Sequence, residues 1–288
     1  MKNRIFLRSL NLALCGLAVA AFAACGDDSD GSGGAGGGGT STTTSSGSGS
    51  PSATSTGSTE PSTSSTTTAA STTSATTGAG GGPQTLEMID DMEDEDNAIE
   101  AAGGRLGYWY TFNDKTEGAT QNPPPDPEGT GETPFTMTAL EPARGQSKYA
   151  ARSWGEGFTG WGIGFGFDLK SEDGDKTPYD ASAYTGITFW AKVGPGASTT
   201  ASVLITDPGT DTVGGVCTDE CDAWQKSLAG ISEEWQQFTI PFADLKQGGW
   251  GTPAGTTQID ATKLYSIQFQ VGMAESFDIY IDDLAFYN

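Results

Sequence analysis

Residues 84–288 are predicted to form an all-β sandwich or barrel, and three observations carry that prediction. Apolar residues recur at every second position in four separate segments. Gly, Pro and Asp punctuate the chain between them, as turns do. No amphipathic stretch is longer than a turn or two of helix, and neither heptads nor internal repeats occur.

The segments can be taken in order. "WGIGFGFDL" sets Trp161, Ile163, Phe165 and Phe167 against Gly162, Gly164 and Gly166. "GITFWAKVG" sets Ile187, Phe189, Ala191 and Val193 against Thr188, Trp190 and Lys192. "SIQFQVG" opposes Ile267, Phe269 and Val271 to Gln268 and Gln270. "FDIYIDD" opposes Phe277, Ile279 and Ile281 to Asp278, Tyr280 and Asp282. Each is a strand with one apolar face. "QNPPPDPEGTGETP" (121–134) is expected to be a long exposed loop, because prolines do not sit inside sheets.

The first 83 residues are of another kind. Lys2, Arg4 and Arg8 precede an apolar stretch from Leu10 to Phe22, and small residues lead to Cys25. This is the layout of an export signal, too short and too rich in small residues for a membrane span. "FAAC" resembles a lipobox, so residues 1–24 are expected to be a lipoprotein signal peptide and Cys25 the lipidated residue. The alternative is ordinary secretory cleavage after Ala24. Gly26 after the cysteine favours the outer membrane or cell surface of a bacterium. Residues 25–83 then form a Gly/Ser/Thr linker that cannot bury enough apolar surface to order itself.

Charge and cysteines narrow the function classes. The chain carries a net −23, and removal of the three basic signal residues makes it −26. Nucleic acid is not expected as a partner, because phosphate binding needs clustered Lys and Arg. Histidine is absent, which excludes a Ser-His-Asp triad. Cys217 and Cys221 in "VCTDEC" are expected to form a local disulfide, since without histidine or a second cysteine pair a zinc set is incomplete.

Four motifs in order carry a resemblance: "MIDDMED", "YDASAYTGITFWAKV", "EEWQQFTIPFADLKQGGWG" and "IDATKLYSIQFQVGMAESFDIYIDDLAFY". Together, over residues 86–288, they resemble carbohydrate-binding module family 11 and related galactose-binding-like domains. That resemblance implies a jelly-roll β-sandwich that binds polysaccharide, a β-glucan or related glycan, without catalysis. It also implies a structural Ca2+ ion held by Glu93 and Asp282, with Asp91 and Asp283 as further ligands. Calcium takes six to eight oxygens, so acids from both ends of the domain would clip it together. Otherwise the acids from Asp90 to Asp96 are a solvated turn and Asp282 faces water.

Glycan modules stack aromatic rings on sugar faces and hydrogen-bond the hydroxyls. On that basis the expected ligand-binding residues are Tyr108, Trp109 and Tyr110 in "GYWYTFND", Trp224, Trp250, Gln268 and Gln270. Trp161 and Trp235 read as structural, and Trp190 fits either face of its strand. A monomer attached to the membrane by its lipid is expected. The second reading is a non-catalytic protein-interaction or adhesion jelly roll. A glycoside hydrolase or lyase ranks third, because no closely spaced E-x-D-x-E strand and no nucleotide fingerprint is present.

Overall fold

The computed structural model describes residues 85–126, 134–172 and 175–288. The predicted signal peptide, Cys25 and the linker lie outside the described residues. Among the described residues fourteen strands follow one another: β1 (Leu86–Asp90), β2 (Trp109–Asn113), β3 (Thr120–Asn122), β4 (Thr138–Arg144), β5 (Ser147–Phe158), β6 (Ile163–Asp168), β7 (Ser171–Glu172), β8 (Asp175–Lys176), β9 (Gly186–Val193), β10 (Ala201–Thr206), β11 (Trp224–Ser227), β12 (Gln236–Pro241), β13 (Ser266–Val271) and β14 (Ala274–Tyr287). Among the described residues the one helical element is a 3-10 turn, Phe242–Asp244, and no helix is long and apolar enough to cross a membrane.

Two antiparallel sheets form the sandwich. The larger runs β12-β9-β14-β5-β3, with β1 beside β14 and β4 beside β5; the smaller runs β11-β10-β13-β6-β2. The predicted alternation explains what fills the space between them. Phe165, Phe167, Ile267, Phe269, Val203 and Ile205 come from the smaller sheet, and Ile187, Phe189, Ile279 and Ile281 from the larger; all are fully buried. Phe189 and Phe269 meet edge to face at 5.1 Å across the layers. Burying side chains of this size is worth about 1.5–3 kcal/mol each.

Three expectations need correcting. Trp161 does not share the inward phase of Ile163, because Gly162 at φ +100° turns the chain first. The tryptophan is 46% exposed. The stretch 121–134 is not loop throughout: Gln121 belongs to β3 and is buried, donating to the Gly164 carbonyl at 3.0 Å and the Ser153 hydroxyl at 3.2 Å. A three-residue edge strand needs little β propensity when one side chain anchors it so well. Asp282 does not face water on a regular strand. Pairing of β14 with β9 slips between Asp282 and Ala285, with Asp283 at φ +46°, so the two acids sit at a bulge, Asp282 buried and Asp283 partly exposed.

Candidate functional site

The outer face of the smaller sheet is a shallow trough. Register aligns Tyr110, Gly166, Gln268, Leu204 and Gln225 in one row across five strands. Phe112, Gly164, Gln270, Ser202 and Ser227 form the next. The glycines of β6 matter here: a Cβ at Gly164 would stand 2.1 Å from the Phe112 ring. Phe112 therefore lies down on the sheet, and Trp161 packs against it at 5.8 Å between ring centroids.

A hydrogen-bonded chain fixes the floor. Gln268 donates to the Tyr110 hydroxyl at 3.0 Å, and that hydroxyl donates to Asp168 at 3.1 Å. Lys176, reaching in from β8, bridges Asp168 at 2.9 Å and Asp211 at 2.8 Å. Burial, then the Asp168 charge, pushes the Tyr110 phenol well above its ordinary value, so it stays a neutral donor. Burial alone would raise the Asp211 carboxyl, but Lys176, the Gly214 N–H and the Thr206 hydroxyl outweigh it and hold the acid below its usual range.

The rim carries large exposed rings. Tyr108 is 52% exposed and Trp250 63%. Tyr108 lines a cleft of about 350 Å3 with Asn97, Pro124, Asp168 and Ser171 beside β2. Trp250 belongs to the β11 end, where its indole and the Gln225 amide both lie against Gly248. Five of the seven predicted ligand residues, Tyr108, Tyr110, Trp250, Gln268 and Gln270, thus border or floor this face.

Two do not. Trp109 is 2% exposed; its ring packs on Phe135, Phe165, Phe167 and Phe269, and its Nε1 donates to Asp90 at 2.6 Å. Consecutive strand residues point to opposite faces, so Trp109 turns inward where Tyr110 turns out. Trp224 is equally buried, opposite Ile205, with its Nε1 donating to Asp207 at 2.9 Å. Burial pushes the Asp90 carboxyl up to about 7, against the hydrogen bonds from Trp109 and Met92.

Of the predicted metal ligands, Asp282 is fully buried, and its Oδ2 accepts from Arg144 at 2.8 Å and Ser147 at 2.6 Å. Its Oδ1 is buried with no hydrogen-bond partner. Burial raises this carboxyl, with Arg144 and Ser147 opposing. Glu93 reaches the same turn, accepting from the amides of Lys148 at 2.7 Å and Tyr149 at 3.0 Å. These two residues fit a calcium ion, the orphaned oxygen above all. Asp91 accepts the Glu93 amide at 3.1 Å, and Asp283, like Asp282, is paired to Arg144. Among the described residues no three acids, cysteines or histidines group as a metal set, so backbone carbonyls would have to complete the shell.

The disulfide Cys217–Cys221 is formed. Sequence reasoning missed the outer face of the larger sheet, where cations and rings alternate. Arg152 lies over Trp154 and Tyr280, Lys192 over Tyr280 and Trp235, and Arg144 over Trp235 and Trp190, at 4.4–5.5 Å. The pairs Arg152/Trp154 and Trp190/Lys192, two apart on their strands, were the available signal.

A trough bordered by exposed rings and floored by amides, on one sheet of a β-sandwich, is the form of a carbohydrate-binding module. The sequence profile of Carbohydrate binding domain 30 matches residues 108–288, and the chain belongs to that family. Endoglucanase 3 of Fibrobacter succinogenes is 25% identical over 194 residues, 64% of this chain and 24% of the relative. The chain thus matches about a quarter of that relative's length. Solved structures that resemble it include the family 11 module of the cellulosomal cellulase Lic26A-Cel5E of Clostridium thermocellum, with TM-score 0.44, 18% identity, and coverage of 70% of this chain and 94% of that one. The family 30 module of the cellulase Cel9D-Cel44B from the same organism gives 0.42 and 14%, over 70% and 96%.

Proposed function

We propose that the outer face of the smaller sheet binds an extracellular β-glucan-type polysaccharide without acting on it. The observation that carries this reading is the trough itself: Tyr108, Trp161 and Trp250 exposed around Gln268, Gln270 and Gln225, over a glycine-bearing strand. Pyranose rings offer C–H faces to aromatics and hydroxyls to amides. The Fibrobacter succinogenes relative is an endoglucanase, which agrees with a glucan. Asp211, which shares Lys176 with Asp168 beneath the floor, is held below its usual range, the opposite of what a general acid for glycoside cleavage needs.

The chain is tethered to a membrane through lipid on Cys25, and presents its domain on the linker as a monomer. Calcium held by Asp282 and Glu93 fastens β14 to the turn ahead of β5. The full chain is to be tested on a glycan array and on insoluble β-glucan, with and without calcium. Retention on β-glucan, with no release of reducing ends, supports the reading; silence from folded protein rejects it. EDTA should lower the melting temperature of the parent and leave Glu93→Ala unchanged. A melt indifferent to EDTA removes the calcium.

A further inference from the structure

Trp250 is the most exposed of the rim rings, yet the chain on either side of it is tied down. On one side the buried Asp222 carboxylate accepts the amides of Gly248 at 2.8 Å and Gly249 at 2.6 Å, and the Gln247 side chain donates to the Asp222 carbonyl at 2.7 Å. On the other, the Thr252 amide donates to Glu220 O at 2.7 Å and its hydroxyl to Asp219 O at 2.9 Å. The residues that take these bonds lie inside or next to the five-residue ring closed by Cys217 and Cys221. Packing permits little slack: a Cβ at Gly251 would stand 2.1 Å from Glu220 O.

Hydrophobic burial does not explain so firm a mount for a ring that is 63% exposed. A binding surface does, because a side chain ordered beforehand loses less freedom when the ligand arrives. We infer that Asp222 is a positioning residue for the glycan site: with the disulfide-closed turn, it holds the Trp250 indole as a pre-set stacking platform beside Gln225. The inference rests on the proposed glycan reading of this face. Asp222 itself touches no sugar. It acts through Trp250.

The test is a double-mutant cycle on the full chain, with hydroxyethylcellulose as the soluble β-glucan probe. Asp222→Ala should weaken binding roughly 2- to 12-fold, the range expected for freeing one side chain. Trp250→Ala should weaken it more, and the double variant no further than Trp250→Ala. The parent and Asp222→Ala, each labelled with 5-fluorotryptophan, should differ at the Trp250 resonance, assigned through Trp250→Phe. Should Asp222→Ala fold poorly, Gly248→Ala serves instead, since its Cβ would stand 2.6 Å from the Trp250 ring and displace it with Asp222 intact. Additive losses, or an unmoved Trp250 resonance, overturn the mount. Parent-like binding by Trp250→Ala overturns the inference through the reading it rests on, and the fluorine signal tells the two failures apart.

Discussion

The two sheets turn outward faces of opposite character to solvent. On the larger, Arg152, Lys192 and Arg144 are sandwiched among Trp154, Tyr280, Trp235 and Trp190, and the two arginines are also paired with acids: Arg152 with Asp278, Arg144 with Asp282 and Asp283. On the smaller, the cation of Lys176 is drawn down between two carboxylates, and among the described residues no cation stacks on Tyr108, Trp161 or Trp250. Both faces are rich in aromatics. What separates them is whether the ring faces are already taken by the protein, so an aromatic count alone does not locate a groove.

The comparison can be broken or sharpened by substitution. Trp109→Ala strikes the layer both faces share and should cost about 3–5 kcal/mol; a denaturation midpoint close to the parent's would place the ring outside the core. Arg152→Ala opens the filled face, leaving Asp278 unpaired and Trp154 uncovered while Lys192 stays over Tyr280, and should cost about 1–2 kcal/mol after discounting for solvent. Its β-glucan affinity should not change, and a loss would mean that both faces bind. Trp161→Ala on the open face should do the reverse: stability within about 0.5 kcal/mol, affinity down about tenfold. A melt that falls with binding intact would make that face structural.

A separate effect is on pH. Asp90 is raised in the fold from 3.8 to about 7, so it folds protonated across a range where the unfolded chain ionises. Its contribution is complete below the unfolded value and is lost as pH rises through about 7. In EDTA, stability should therefore fall between about pH 4 and pH 7, and Asp90→Asn should flatten that fall. An unchanged slope in the variant would assign the dependence to other acids.

Much of this was legible beforehand because a period of two survives translation from sequence to strand. Ile163 to Phe167, Ile187 to Val193 and Ile267 to Val271 face inward as the pattern requires. Gln268 and Gln270 face outward for the same reason. Failures arose where one residue reset the phase, as Gly162 did for Trp161, or where both phases were aromatic, as in Trp109 and Tyr110. The cation and ring ladder depends on which strands are neighbours, and a pattern within one strand carries no information about that. Asp282 and Asp283 stand out in the sequence as adjacent acids, but the guanidinium between them comes from Arg144, 138 residues before Asp282.

The placement of β14 bears on how the domain is made. This fourteen-residue strand pairs with β5 and then β1 along one edge, and with β9 along the other. A chain emerging from the ribosome in order would hold β1, β5 and β9 with no common partner until residue 287 is released. The larger sheet closes last, through contacts up to about two hundred residues apart, the slow and non-local kind. An unfinished copy therefore leaves open to proteases the edges of β1, β5 and β9 that β14 would cover.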